Sequence, residues 1–290
     1  QQKPDIFIGI DAPDFNFAIE KKLKANKIPT FHYVAPSVWA WRKNRIYKMK
    51  DCMNHLFSVF PHEAKIFKNI ELPVTYVGHP LSKISGLTDS LKDYDQRNID
   101  LGLFPGSRES EIKNNLHQMI DCIQKNKKER IRLFYANETT YNIMKKLLPP
   151  EYHTLLASGK DLNMVRNCKK ALCASGTITL QLALLEVPMI IMYKLSYLSY
   201  LIMKSLIKIK YIGLVNLVLG NSIGSQPIVK EFIQPSYSDQ VDIMVELNKI
   251  DQDESYRKSI LDSCKLIKNK LSVEPKEDLS SLADKMLDVI

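Results

Sequence analysis

Two short stretches of this sequence carry the residue types that hold phosphate. Residues 101–116 read LGLFPGSRESEIKNNL: an apolar run, a turn with Pro105 and Gly106, then a polar helix opening on Ser107 and acids. Glycine lets backbone N–H groups approach an oxyanion, the helix start adds a positive dipole end, and Arg108 supplies a fork of donors. The same letters also describe an ordinary strand-to-helix turn, since one glycine is weaker than a full glycine-rich fingerprint. The second stretch is Ser175, Gly176 and Thr177, again between an apolar run and a helix. Two helix N-termini and an arginine would suit a diphosphate, with no metal needed to neutralise it. Nothing resembles a P-loop lysine motif, which argues against nucleotide hydrolysis.

Acid–base chemistry has fewer candidates. Asp11 directly follows an apolar run, so its carboxylate can project from a strand end and take a proton from an attacking hydroxyl. Asp14 can equally be a helix cap or turn former. His79, in a Gly-His-Pro turn, is either a general base or a structural histidine. Both tryptophans, Trp39 and Trp41, stand beside Arg42, Lys43 and Arg45. They read either as a loop anchored by packed rings or as an apolar wall with a cationic rim, suited to an acylated, phosphorylated ligand.

The elements that must position these residues alternate regularly. Strands are expected at residues 6–10, 31–35, 56–60, 74–77, 99–104, 131–135, 154–156, 171–174 and 189–193, the first of them buried. Helices are expected at 15–27, 45–50, 62–68, 109–125, 141–148, 161–167 and 178–185. Such alternation implies parallel βαβ units, so both halves read as doubly wound α/β domains. Residues 82–98, rich in Ser, Asp and Lys, are the linker candidate. Beyond residue 234 the chain reads as helices with solvated faces.

Composition narrows the partners. The 290 residues are 45% hydrophobic and 25% charged, an ordinary globular balance. A formal charge of +9 suits an anionic membrane surface or a phosphorylated substrate. The basic residues are dispersed and no nucleic-acid motif is present, so nucleic acid is not expected. Five cysteines without a C-x-x-C pair argue against a disulfide framework or zinc site and for a reducing, cytoplasmic setting. Residues 195–219 are the most apolar stretch; Lys204 and Lys208 share one helical face, opposite Leu198, Leu201, Ile202, Leu206 and Ile209. Three lysines inside make it a poor spanning helix, so it reads either as an interfacial helix or as one packed on its own domain.

The ordered series GIDAPDFN (9–16), APSVWAWR (35–42), PHE (61–63), VGHPL (77–81), FPGSRESE (104–111), ASGT (174–177), the run 188–193, Asn216 and VKEFIQ (229–234) resembles the lipid-A-disaccharide synthase family from residue 6 to about 234. Each motif alone is weak; the series in order is specific. The resemblance implies the GT-B fold, two Rossmann-like domains facing a cleft, here as residues 1–95 on the acceptor side and 96–265 for the UDP-sugar. A helical segment, 266–290, would pack back on the first domain. It also implies an inverting transfer of 2,3-diacylglucosamine from its UDP donor onto 2,3-diacylglucosamine 1-phosphate (lipid X), giving the β-1,6 lipid A disaccharide 1-phosphate and UDP. No metal or cofactor is implied. Family members are peripheral at the inner face of the cytoplasmic membrane.

Carried over by position, Asp11 matches the base for the acceptor 6-hydroxyl and Arg108 the residue at the UDP diphosphate. Gly106, Ser107, Ser175, Gly176, Thr177, Gln181 and Asn216 fall on the nucleotide side, and Trp39, Trp41, Arg42 and His79 on the acceptor and acyl side. Three departures stand out. The family usually has Glu where this chain has Gln181, and an amide accepts only at its oxygen, without charge assistance at a ribose. The segment between Asn216 and Val229 is longer than usual and lacks a common basic residue. The family's N-terminal strand and Gly-rich loop are absent, so the first domain is expected to be incomplete and to expose apolar surface, as a fragment or a truncated protein. The rival readings are another GT-B UDP-sugar enzyme, such as an epimerase, and a non-catalytic UDP- or lipid-binding remnant.

Overall fold

A computed structural model describes residues 3–36, 43–67, 70–84, 93–124, 130–195, 200, 211–220, 227–236, 239–272, 283–284 and 287. Trp39, Trp41 and Arg42 lie outside the described residues, as does most of the 195–219 stretch up to Tyr211. Two compact units emerge, one built chiefly from Gln1–Lys83 and Asn269–Ile290, the other from Ile84–Ile202 and Lys210–Lys268.

The first unit holds β1 (Phe7–Ile10), α1 (Pro13–Ala25), β2 (Thr30–Tyr33), α2 (Lys43–Cys52), β3 (His55–Ser58), α3 (Glu63–Phe67) and β4 (Val74–Tyr76). Its strands run parallel in the order β1-β2-β3-β4. Met49, Met53, Leu56 and Phe67 form the centre of a buried cluster, and the Phe31 and Phe57 rings stack at 5.9 Å. Pro13 opens α1 at its first turn, where its missing N–H costs nothing. The expected strand at 6–10 forms, but only Gly9 of it is buried; Ile8 is 42% and Ile10 64% exposed. The reason is position: among the described residues β1 is an edge strand with β2 as its neighbour. The end of α10 (Glu254–Leu271) belongs to this unit, with Tyr76 Oη donating to Lys270 O at 2.6 Å and His79 N to Leu271 O at 3.1 Å.

The second unit contains β5 (Ile99–Phe104), α4 (Glu109–Gln124), β6 (Ile131–Tyr135), α5 (Glu138–Leu147), β7 (Leu156–Ser158), α6 (Leu162–Arg166), β8 (Cys168–Cys173) and α7 (Thr177–Leu184). It continues through β9 (Met189–Tyr193), α8 (Leu214–Leu219), β10 (Glu231–Ile233) and α9 (Asp239–Gln252), and includes most of α10. All six strands are parallel, in the order β10-β9-β8-β5-β6-β7. Central β5 and β8 are buried except at one charged residue each, Asp100 and Lys169, as parallel strands covered on both faces must be; the buried Lys170 of β8 pairs with Asp251. The chain winds outward from β5 through β7, returns to β8, and winds outward again.

Three local readings change. A 3-10 turn from Pro150 to Leu155, opened by the Pro149–Pro150 pair, takes the place of the expected strand at 154–156, which starts two residues later as β7. β10, three residues with a leading glutamate, carries no alternation to reveal it. The end of the apolar 195–219 stretch is a core helix, with Val215, Val218 and Leu219 buried. Within the expected linker, residues 93–97 pack on the second unit. Arg97 is buried and donates to Cys168 O, Tyr94 donates to Asp251 at 2.5 Å, and Arg257 lies over the Tyr94 ring. The five cysteines are all free and buried. Among the described residues, no helix is long and apolar enough to cross a membrane.

Candidate functional site

Reversal of winding between β5 and β8 makes a topological switch point, and ligands of open α/β sheets bind outside the carboxyl ends of strands at such a point. The register shows which loops flank it. Phe104 stands opposite Cys173, and Ala174 N donates to Phe104 O at 2.8 Å. The loop 105–108 and the loop 174–176 therefore leave neighbouring strands side by side, each running into a helix. Both phosphate-type stretches of the sequence meet there.

In the first loop, backbone and guanidinium donors converge on one anion, and that anion is the chain's own. Glu111 Oε2 accepts from Ser107 N at 3.0 Å and Arg108 N at 3.3 Å, while Arg108 Nη1 donates to Glu111 Oε1 at 3.0 Å. Gly106 has φ near +130°, and a Cβ on it would lie 2.5 Å from Glu111 Cβ, so glycine serves both the turn and this close approach. Buried Asn115 fixes the loop: its amide donates to Pro105 O and Glu111 O and accepts from Lys194 N at 2.9 Å, joining the turn after β5 to the one after β9. Tyr193 lies by the same pair; burial, then the Glu111 charge, pushes its hydroxyl pKa up, with Arg108 opposing.

Across the switch point, Gly176 caps α7 with φ near +149°, and a Cβ there would meet nothing within 4 Å. Glycine is required there by conformation. Ser175 Oγ donates to Ile212 O at 3.2 Å, Thr179 Oγ1 to Gly176 O at 2.8 Å, and Thr177 is exposed. One helical turn on, Gln181 is half-buried, with Nε2 3.4 Å from Gly159 O.

Asn216, expected on the nucleotide side, lies in a buried hydrogen-bond network. It is fully buried; its amide donates to Val229 O at 2.7 Å and Glu231 Oε1 at 2.6 Å and accepts from Val229 N. Glu231 also accepts from Ile212 N and Gly213 N. Burial raises the Glu231 pKa, against the opposing hydrogen bonds of Ile212, Asn216 and Gly213. Asn216 and Glu231 thus shape residues 211–213, on which Ser175 rests. Gln234 similarly clamps Leu195, accepting from its N–H and donating to its carbonyl. Glu111, Glu231 and Gln234 lie within the motif series but were given no role in it, and Asn115 lies outside it; all four hold these loops in place. Only Glu111, third residue of its helix, carried a local signal, the position of a capping glutamate.

In the first unit, Asp11 ends β1 with an exposed side chain. Asp11 and Ala12 have φ of 49° and 42°, two successive left-handed residues without glycine. Such strain persists only where neighbours over-determine it. Asp11 N donates to Tyr33 O, and Asn16 Nδ2 donates to Asp11 O at 2.7 Å and Ile10 O at 3.2 Å. Asn16, within the GIDAPDFN motif, is the residue that holds this turn. Beneath it, Gly9 makes room for the buried Glu20–His32 pair, 2.7 Å apart. His79 is buried, with Nδ1 accepting from Leu81 N and its ring 5.1 Å from that of Phe60; burial lowers its pKa and keeps it neutral.

The fold defines a class: two parallel α/β units of the GT-B type. The Staphylococcus aureus MnaA–UDP co-structure matches 99% of this chain and 77% of its own, with a TM-score of 0.59 at 12% identity. The pneumococcal O-GlcNAc transferase GtfA, in complex with UDP and GlcNAc, matches 97% and 56%, with a TM-score of 0.55 at 12% identity. The lipid-A-disaccharide synthetase family matches residues 1–286, and the chain belongs to that family. The lipid-A-disaccharide synthase of Methylobacillus flagellatus is 36% identical over 236 residues, 76% of this chain and 62% of the relative. That of Neisseria meningitidis serogroup B is 38% identical over 232 residues, 75% and 60%; that of Colwellia psychrerythraea is 31% identical over 297, 92% and 76%. The chain thus spans less than two thirds of the first two of these relatives.

Proposed function

We propose that this chain carries the lipid-A-disaccharide synthase reaction of its family. UDP-2,3-diacylglucosamine is the donor and 2,3-diacylglucosamine 1-phosphate the acceptor. The acceptor 6-hydroxyl attacks the donor's anomeric carbon from the face opposite UDP, and Asp11 takes the hydroxyl proton. The bond from that carbon to the phosphate oxygen breaks, and UDP leaves with the electron pair. Negative charge gathers on the diphosphate, where Ser107 N–H, Arg108 and the helix start after Gly176 are the stabilising groups. Gln181 meets the ribose, Asn216 acts through the 211–213 backbone, and Trp39, Trp41, Arg42 and His79 serve the acceptor and acyl side. The observation that carries this reading is the pair of phosphate-type loops flanking the β5/β8 switch point.

The test is a transfer assay with both acyl sugars, comparing the chain with Asp11→Asn. Disaccharide formation that drops about 100-fold or more in the variant, with UDP affinity kept, supports the assignment. No disaccharide from either protein, or equal rates from both, would reject it.

We also propose peripheral attachment to the inner face of an anionic membrane through the part of residues 195–219 that precedes the core helix Leu214–Leu219. The support is the lysine face opposite the leucine face, and the +9 charge. Co-sedimentation with phosphatidylglycerol vesicles checks it, and binding untouched by Lys204→Glu with Lys208→Glu would reject it.

A further inference from the structure

Among the donors assigned to the diphosphate, those of the first loop are already engaged by Glu111. Its carboxylate holds Ser107 N–H, Arg108 N–H and the Arg108 guanidinium together, and its side chain is only 12% exposed, against 78% for Arg108. We propose that Glu111 is an internal occupant of the anion cradle, which a nucleoside diphosphate must displace to bind. The inference rests on the reading of this loop as the diphosphate site.

Physical chemistry favours displacement over sharing. A carboxylate has two oxygens, and both here accept from the groups that would meet a phosphate. A second anion cannot take the two backbone N–H groups while Glu111 Oε2 holds them, and like charges at this distance repel. Leaving costs Glu111 charge-assisted hydrogen bonds, which a diphosphate replaces with more oxygens and more charge. Gly106 fits this arrangement: its missing Cβ is what allows Glu111 to lie over the turn.

A helix cap is the simpler role, since a glutamate at the third helical position often accepts from the N-cap N–H. It accounts for the bond to Arg108 N. The added engagement of Ser107 N and the guanidinium goes beyond it. The two roles predict opposite effects: losing a cap loosens the loop and weakens ligand binding, whereas losing an occupant strengthens it.

Calorimetric titration of the wild-type chain, Glu111→Gln and Glu111→Ala with UDP, pyrophosphate and uridine separates these outcomes. The occupant role predicts UDP and pyrophosphate binding roughly three- to tenfold tighter in the variants, with uridine unchanged. Equal or weaker UDP and pyrophosphate binding would overturn it. If wild-type chain binds no UDP, the nucleotide reading fails, and the pyrophosphate arm alone decides the role of Glu111. A UDP-bound crystal structure of the wild-type chain needs no variant. Glu111 Oε2 withdrawn from Ser107 N supports displacement; Oε2 still on both N–H groups with UDP bound contradicts it.

Discussion

The two units use the same parallel construction and differ in where it is closed. In the second, β5 and β8 lie inside a six-stranded sheet, and the winding reverses between them, so the two phosphate-type loops emerge from the best-packed strands. In the first, the described sheet runs in chain order without reversal, and Asp11 emerges from the edge strand, beside exposed Ile8 and Ile10. The candidate binding loops leave buried central strands, while the candidate base sits on a strained turn at an edge strand. The lesson is that a loop's precision derives from the strand behind it: the cradle is held by central strands, and Asp11 depends on Asn16 and Tyr33.

The sharpest way to break this contrast is to cut one apolar side chain in each unit. Leu172, fully buried on central β8, should cost about 2–5 kcal/mol as Leu172→Ala, whereas Ile10→Ala at the margin should change stability by less than about 0.5 kcal/mol. Urea unfolding followed by circular dichroism reads both, and equal losses would erase the distinction.

A smaller effect belongs to the first unit alone. Burial, with Lys270 nearby, lowers the His62 pKa to about 4 from 6.5. The unfolded chain binds that proton first, so stability from neutral His62 is complete above pH 6.5 and declines as pH falls toward 4. Roughly 3 kcal/mol is at stake across that window. Stability measured against pH should show this acid limb in the wild type and a flatter one in His62→Gln; identical slopes would remove His62 as its source.

Smallest is Gln181→Glu. A carboxylate at this half-buried position can accept from both ribose hydroxyls, so UDP should bind about two- to fivefold tighter. A titration showing no gain would mean that this side chain does not face the ribose.

Much of this architecture was legible because it is local. Alternating apolar runs and polar helices announced parallel α/β units, and the glycines at 106 and 176 marked the turns that need positive φ. What stayed hidden depends on partners distant in sequence. Asn115 works through Lys194, Asn216 through Val229 and Glu231, and Gln234 through Leu195. Asn216 and Gln234 stood out as motif positions, but nothing in the chain near them reveals these partners. The exposure of β1 was equally hidden, since an apolar run reads the same in the middle of a sheet as at its margin. Glu111 was visible as a capping acid, but that its carboxylate also gathers Ser107 and the guanidinium is a matter of three-dimensional geometry.

The central claim is that the second unit binds the donor's diphosphate through Arg108 while the first supplies Asp11 for the chemistry. Calorimetric titration of UDP into the wild-type chain, Arg108→Ala and Asp11→Asn tests it directly. Saturable wild-type binding, a loss of about 10- to 100-fold in Arg108→Ala and no change in Asp11→Asn is the predicted pattern. Arg108→Ala binding UDP as tightly as the wild type, or Asp11→Asn losing as much, would contradict it.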